Sequence, residues 1–196
     1  MTNNADRRRL SPDARRAQIV DVAAAHFTKH GVAGASMTRI AEDAGVTRAL
    51  VYHYFSGKEA LLDAVFEREA ESVLVATTPL ASLSERENLE RALTGYLDRF
   101  EASSGDLREL YAPSAAPRSP AAELIAQNHT VQVNRLLDIS GADDTPASRL
   151  AMSAWLAFVE HVARGAAQSP VVPRERVLAL CLAAFEGILG RRLSAG

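Results

Sequence analysis

Apolar residues recur along most of this chain at the three- and four-residue spacing of helices, and no stretch alternates with the period of two that a strand requires. The pattern therefore predicts an all-α fold. We expect long helices over residues 12–31, 56–76, 84–103, 120–140, 145–168 and 174–193, and short helices over residues 36–44, 47–54 and 106–111. The segment 112–121 contains three prolines and is predicted to be a loop.

A tight turn separates the two short helices that lie between residues 36 and 54. Ile40 and Ala44 give the first of them an apolar face, and Ser36 is its candidate N-cap. Gly45 follows the last periodic residue, at a place where a left-handed backbone is favoured. Thr47 is then the N-cap of the second short helix.

The second short helix turns polar side chains outward, among them Arg48, Tyr52 and His53. A helix of this length fits the major groove of DNA, and its N-terminal residues reach base edges. Lys58 lies in the first turn of the next helix, which the capping-box residues Ser56 and Glu59 open and whose N–H groups favour a phosphate. The predicted DNA contacts are Ser36, Thr38, Arg39, Thr47, Arg48, Ala49, Tyr52, His53 and Lys58.

Between Pro12 and Leu62 the residues resemble the helix-turn-helix signature of the TetR family of transcriptional regulators. Ala49 and Gly57 depart from the residues that the family often has there. The resemblance implies an N-terminal three-helix DNA-binding domain and a C-terminal helical domain for ligand binding and dimerisation. It also implies repression that a small-molecule effector releases. The matching positions are Ile40-Ala41, Ala44-Gly45-Val46-Thr47, Tyr52, Phe55 and Lys58-Glu59-x-Leu61.

We divide the chain into a disordered basic arm at residues 1–10, a helix-turn-helix DNA-binding domain at 11–57, and a ligand-binding and dimerisation domain at 58–196. The arm, with Arg7 to Arg9, is either a solvated tail or a mobile arm that adds phosphate or minor-groove contacts. Residues 1–58 carry nine Lys and Arg against five Asp and Glu, although the whole chain has a net charge of −2. This asymmetry favours nucleic acid bound at one end of the chain.

The compartment follows from what the sequence lacks. Cys181 is the only cysteine, so no intramolecular disulfide can form. The N-terminus lacks the apolar core of a signal peptide, and no stretch reaches the ~18 apolar residues of a membrane span. We therefore expect a cytoplasmic protein with no membrane partner. His26 and His30 are four residues apart, but no acidic or cysteine ligand accompanies them, so we interpret both as surface histidines and expect no metal.

An enzyme is the main alternative to a DNA-binding regulator. The sequence contains no G-x-S-x-G, Walker A, G-x-G-x-x-G or H-E-x-x-H motif, so we expect no catalytic site and no cofactor. The alternative that stays open is an all-helical enzyme that uses the N-terminal helices only as scaffold. A constitutive architectural DNA-binding protein would leave residues 63–196 without a role.

The helix predicted at 120–140 is polar in its middle, where Asn128 and His129 lie between apolar ends. Either this helix is half open to water, or it lines a ligand cavity and offers these side chains as polar handles. We place the cavity among the long helices between residues 56 and 168. No Lys or Arg falls on the inward faces, which favours a neutral, hydrophobic aromatic or polycyclic effector. The predicted lining is Phe66, Tyr96, Phe100, Tyr111, Asn128, His129, Trp155 and Phe158.

The last helix is apolar over more than one face, from Val177 to Leu189. A terminal helix with this pattern is not expected to stay exposed. Together with the helix that carries Trp155 and Phe158, it can pair with the same two helices of a second chain in a four-helix bundle. The pattern thus predicts a homodimer, as the family resemblance also implies, and a homodimer with two recognition helices requires an inverted-repeat operator in double-stranded DNA.

Overall fold

The computed structural model describes residues 10–102, 120–168 and 171–195. Within these ranges the chain forms eight helices and no strand, which confirms the predicted all-α fold. No helix in the described ranges is both long and apolar enough to cross a membrane. Residues 1–9 of the basic arm, the predicted helix at 106–111 with Tyr111, and the side chain of Phe100 lie outside the described part. The helices are α1 Pro12–Gly34, α2 Met37–Asp43, α3 Arg48–Tyr54, α4 Lys58–Ala76, α5 Glu85–Ala102, α6 Pro120–Ser140, α7 Pro146–Gln168 and α8 Arg174–Leu189.

The described residues divide into two compact units. Unit 1 contains residues 10–68, and unit 2 contains residues 69–102, 120–168 and 171–195. The division falls inside α4, whose first turns belong to unit 1 and whose last turns belong to unit 2. The functional boundary predicted after residue 57 stays a prediction.

Unit 1 is built from α1, α2, α3 and the first part of α4. The Ser11 hydroxyl accepts a hydrogen bond from the backbone N–H of Ala14 at 3.2 Å, and Pro12 occupies the first turn, as the sequence predicts. Gly31 interrupts α1 with a φ of 67°, after which the chain adds one more turn to Gly34. The core of unit 1 includes buried apolar side chains from all four helices and from Phe55 just after α3, namely Ile19, Val20, Ala23, Phe27, Ile40, Ala41, Val51, Phe55, Leu61 and Val65.

His26 corrects one expectation from the sequence. Of the two histidines on α1, His30 is exposed as expected. His26 is only 8% exposed, and its Nε2 lies 2.6 Å from Oδ2 of Asp43. The inward stripe of α1 runs through His26, and the carboxylate at the end of α2 supplies the partner that a buried imidazole needs. No group of three or more residues with metal-ligand spacing occurs in the described ranges.

Unit 2 packs α5, α6, α7 and α8 around one main apolar core. Within this core the Trp155 ring lies edge-on to Phe185, with ring centres 4.8 Å apart, and its indole N–H donates to the Cys181 carbonyl at 3.0 Å. Burial raises the pKa of the Cys181 thiol to about 11, so this lone cysteine stays protonated. The apolar core residues are Leu89, Leu93, Val133, Leu136, Leu137, Met152, Trp155, Val159, Cys181, Leu182, Phe185 and Leu193.

The end of α8 differs from the predicted end at residue 193. The helix stops at Leu189 because Gly190 adopts a left-handed backbone with a φ of 66°. Beyond it, both terminal nitrogens of Arg191 bind the two carboxylate oxygens of Glu85 at 2.8 and 3.0 Å, and Ser194 donates its backbone N–H to the same carboxylate at 2.9 Å. The Arg191 guanidinium and these hydrogen bonds lower the pKa of Glu85 to about 2.

This carboxylate predicts a specific pH dependence of stability. Because the pKa of Glu85 is about 2 in the folded chain and about 4.5 ordinarily, ionised Glu85 stabilises the fold above pH 4.5 and the gain is lost as the pH falls towards 2. The Glu85 side chain is 24% exposed, which weakens the effect of its charge. We therefore expect Glu85→Gln to lower the free energy of unfolding at pH 7 by only about 1–2 kcal/mol. Thermal unfolding at pH 7, 4.5 and 3 measures it, with exposed Glu175→Gln as control. An equal effect of Glu85→Gln at all three values would contradict the assignment.

Candidate nucleic-acid interface and cavity

The outward face of α3 carries the polar side chains that the sequence places there. The Thr47 hydroxyl accepts from the backbone N–H of Leu50 at 3.2 Å, which confirms it as the N-cap of α3. Val51 is completely buried and holds the opposite face against the core of unit 1. The side chains left exposed on α3 are Arg48, Ala49, Tyr52 and His53.

Arg48 and Tyr52 interact with each other on this face. The guanidinium carbon of Arg48 lies 5.3 Å from the centre of the Tyr52 ring, and an arginine nitrogen is 3.5 Å from the tyrosine hydroxyl. A cation over an aromatic face is attracted to it, so the ring orders the guanidinium while its N–H groups stay accessible. The arrangement presents a fork of hydrogen-bond donors at the start of a helix, which is the geometry that reads a guanine edge.

The predicted DNA contacts on and just before α2 differ in their exposure to solvent. Thr38 and Arg39 are exposed, whereas Ser36 is half-buried. Ser36 occupies the N-cap position of α2, but its side chain makes no capping hydrogen bond, so this detail of the expectation is wrong.

The Lys58 ammonium forms hydrogen bonds within unit 1. Its ammonium donates to the backbone carbonyls of Val32 at 2.9 Å, Ala33 at 3.3 Å and Ala35 at 3.3 Å. These carbonyls lie around the end of α1, where carbonyls lack intrahelical partners. An ammonium has three donors, so contact with a phosphate would require Lys58 to give up one of these bonds. The described helix α4 also begins at Lys58 rather than at Ser56.

Unit 2 contains a cavity of about 240 Å³. Its walls come from the last turns of α4 and from α5, α6 and α7, and they are mostly apolar. Four of the predicted lining residues are there, namely Tyr96, Asn128, His129 and Trp155. The complete lining is Val73, Thr77, Leu89, Ala92, Leu93, Tyr96, Ile125, Asn128, His129, Gln132, Leu136, Trp155, Leu156, Ala157, Val159 and Glu160.

Two of the other predicted lining residues, Phe66 and Phe158, lie elsewhere among the described residues. Phe158 packs against the core of unit 2 and Phe66 is a buried residue of unit 1, so neither contributes to the cavity wall. The side chain of Phe100 and all of Tyr111 lie outside the described residues. Sequence reasoning missed Thr77 and Glu160, because each reads as an ordinary polar position on its helix.

Polar groups of the cavity are held by neighbours on the same unit. The His129 Nε2 lies 2.9 Å from the Ser153 hydroxyl, and the Glu160 carboxylate accepts from Arg164 at 2.6 Å. Burial, and secondarily the Glu160 charge, raises the pKa of Tyr96, so this phenol stays neutral. An apolar cavity with a few polar groups suits a small molecule rather than a reaction.

Comparison with known proteins shows which families of regulators the chain is similar to. Residues 19–65 match the family model described as bacterial regulatory proteins, tetR family. The chain is 40% identical over 58 residues to the HTH-type transcriptional repressor SCO4008 of Streptomyces coelicolor, which covers 30% of this chain and 30% of that protein. It is 30% identical over 105 residues to the HTH-type transcriptional activator FasR of Mycolicibacterium smegmatis, which covers 53% of this chain and 48% of that protein.

The fold also resembles solved structures. A tetR-family transcriptional regulator from Streptomyces coelicolor superposes with a TM-score of 0.82 at 22% identity, covering 92% of this chain and 82% of that one. At this identity the likeness supports the fold alone. The chain spans about a third to a half of the length of the two curated relatives that it matches.

Proposed function

Since this chain belongs to the TetR family of transcriptional regulators, we propose that it binds an operator in double-stranded DNA and that a small molecule in the unit 2 cavity controls this binding. The observation that carries the proposal is the outward face of α3, where Arg48, Tyr52 and His53 are exposed beyond a capped and well-packed helix. The family and the named relatives are DNA-binding regulators rather than enzymes. The alternative of an all-helical enzyme is therefore dropped.

The proposed complex is a homodimer in which each subunit places α3 in a major groove. The two grooves would lie about one helical turn apart, roughly 34–36 Å, so the operator would be an inverted repeat. Arg48 would read a base, whereas Thr47 and Tyr52 would contact the backbone. The proposed site of action is the cytoplasm, where the protein would meet its operator.

The proposed dimer surface is the outward side of α7 and α8. On α7 this side is a row of exposed residues at helical spacing, Leu150, Ala154 and His161, and on α8 Leu180 is exposed. The four-helix pairing predicted from the sequence would cover these side chains. Phe185 does not belong to this surface, because it is completely buried within its own subunit.

The proposed effector is small, neutral and hydrophobic, and it would release the protein from DNA as in a repressor. Its site includes Val73 and Thr77 on α4, the helix that continues back to Lys58 in unit 1. A ligand weakens DNA binding only by its differential affinity for two states of the protein. The relatives include a repressor and an activator, and release of a repressor is the direction proposed here.

A substitution of Lys58 distinguishes an ammonium that stabilises unit 1 from one that contacts a DNA phosphate. Lys58→Ala leaves three carbonyls without their donor, so we expect unit 1 to lose about 1–3 kcal/mol of stability. We expect the slope of operator affinity against salt concentration to stay unchanged. Lys29, the other lysine and an exposed one, is the control as Lys29→Ala. A salt slope reduced by about one, with unchanged stability, would instead place Lys58 on a phosphate as the sequence predicts.

Selection from random double-stranded DNA tests the proposed function directly. Sequences retained by the full chain should converge on an inverted repeat with half-site centres about 10 base pairs apart. Footprinting on the selected sequence should then show protection on two successive major grooves. No enrichment at physiological salt, or enrichment of a single asymmetric site, would overturn the proposal.

A further inference from the structure

We propose that Gln132, together with Asn128, recognises a neutral hydroxyl or amide at one end of the effector, and that Gln132 links the bound effector to the end of α4. The inference rests on the proposed function, in which the cavity of unit 2 holds the effector. It adds the chemistry of the polar end of the ligand and names the side chain through which binding is communicated.

Gln132 belongs to the cavity wall and to a hydrogen-bond network at the same time. Its side-chain nitrogen donates to the Thr77 hydroxyl at 2.8 Å. That hydroxyl donates to the Val73 carbonyl at 2.8 Å and also accepts from Arg135 at 2.9 Å. A hydroxyl has one donor and two acceptor sites, so Thr77 is saturated. The ligand must therefore use the unoccupied part of the Gln132 amide rather than Thr77.

The same network holds the last turn of α4. Arg135 on α6 donates to the Leu74 carbonyl at 2.6 Å and to the Thr78 hydroxyl at 3.1 Å, and Arg91 on α5 donates to the Ala76 carbonyl at 3.2 Å. The last carbonyls of a helix have no intrahelical partner, so these two cations supply the missing donors. A displacement of Gln132 consequently reaches the end of α4 through a single hydrogen bond to Thr77.

Two side-chain amides in the cavity wall have hydrogen-bonding groups that no partner in the described part of the chain occupies. Asn128 lies one turn before Gln132 on α6, and both line the cavity. Among the described residues Asn128 has no hydrogen-bond partner for its side chain, and Gln132 has only Thr77. Each amide offers two donor protons and an acceptor oxygen. A neutral group that donates and accepts, such as a hydroxyl or a primary amide, complements this pair.

The described wall of the cavity favours a neutral end of the ligand over an anionic one. No Lys or Arg is among the described residues that line it, and Glu160 is its one carboxylate. Arg164 binds that carboxylate at 2.6 Å, so the pair adds little net charge. A carboxylate or phosphate on the ligand would lose its water without a cation in the described lining to pair with, since the nearby Arg135 lies behind Thr77 and already donates to Leu74, Thr77 and Thr78. The ligand class is thus a small, mostly apolar molecule with one neutral hydroxyl or amide.

Three probes with one naphthalene body test this inference, namely 2-naphthamide, 2-naphthoate and 2-methylnaphthalene. Calorimetric titration of the full chain measures affinity, and the fluorescence of Trp155, the only tryptophan, reports occupancy. We expect 2-naphthamide to bind at least about tenfold more tightly than 2-naphthoate. Gln132→Leu should weaken 2-naphthamide about 5–10-fold and leave 2-methylnaphthalene unchanged. The factor by which 2-naphthamide weakens operator binding should fall towards one in this variant.

The control is Gln127→Leu, since Gln127 is an exposed residue of α6 outside the cavity wall. Asn128→Leu repeats the test without touching the α4 network, should Gln132→Leu impair folding. Equal binding of the amide and the carboxylate, or unchanged amide affinity in both leucine variants, overturns the inference and leaves the effector cavity in place. Failure of all three probes to bind the unmodified chain overturns the inference and the proposed effector cavity together.

Discussion

Replacing Arg48 with alanine will weaken operator binding by about 1–3 kcal/mol per half-site, which is roughly 5–150-fold for each half-site. The side chain stands at the start of α3, fully outside the core of unit 1, with its guanidinium ordered over the Tyr52 ring. Its fork matches the O6 and N7 atoms of guanine, so its loss removes two parallel hydrogen bonds. Competition binding with each base pair of the operator varied in turn measures the effect. Preference should relax at one base pair in each half-site.

The matched control for Arg48→Ala removes an equal charge from unit 2. Arg192 has a side chain that is 89% exposed, so Arg192→Ala should leave operator affinity almost unchanged. Tyr52→Phe keeps the ring beneath the guanidinium and removes only the hydroxyl, so we expect base preference to survive in that variant. Weaker binding of Arg48→Ala to every sequence alike, with preference intact, would place Arg48 on the DNA backbone instead.

Leu180→Glu will convert the proposed homodimer into a monomer of 21.1 kDa and reduce operator affinity by at least about 100-fold. Leu180 is 51% exposed on α8, so the subunit itself can carry the charge in contact with water. In the proposed four-helix interface the same carboxylate would be buried without a partner, which costs several kcal/mol. Sedimentation at micromolar concentration measures the mass, and a melting curve of the variant checks that the subunit stays folded.

Val75→Glu is the control for the dimer prediction. Val75 is 68% exposed on α4, so it offers the same change from an apolar to an acidic side chain outside the outward side of α7 and α8. We expect this variant to sediment as the unmodified chain does. If the unmodified chain is itself a monomer at micromolar concentration, the dimer and the two-groove operator model both fail. If Leu180→Glu remains a dimer, the interface lies on another surface.

Phe185 shows why the dimer surface required a structure. The sequence shows that α8 is apolar on more than one side, but periodicity does not tell which apolar side faces its own subunit and which faces a partner. In the structure Phe185 packs edge-on against Trp155 and is completely buried, whereas Leu180 is exposed. A charge at Phe185 would therefore disrupt the subunit and report nothing about association.

Helix positions and the α3 face were predictable because their causes are local. Capping by Ser11 and Thr47 depends on residues three positions apart, and the helical period assigns Val51 to the inside and Arg48 to the outside. The end of α8 was misplaced although its cause, Gly190, is also local, because the apolar pattern continues to the buried Leu193. Leu193 is buried although it lies in the chain that follows the helix, so its burial does not extend the helix.

The sequence by itself determined the all-α fold, the TetR-like helix-turn-helix motif and the exposed side chains of α3, since periodicity, capping and a contiguous motif all act within a few residues along the chain. Only the tertiary structure decided which partners meet across distant segments. It buried His26 against Asp43, bound Lys58 to the carbonyls at the end of α1, and joined Gln132 to Thr77 beside the cavity. These contacts join residues from 17 to 55 positions apart, and no local pattern specifies such pairs.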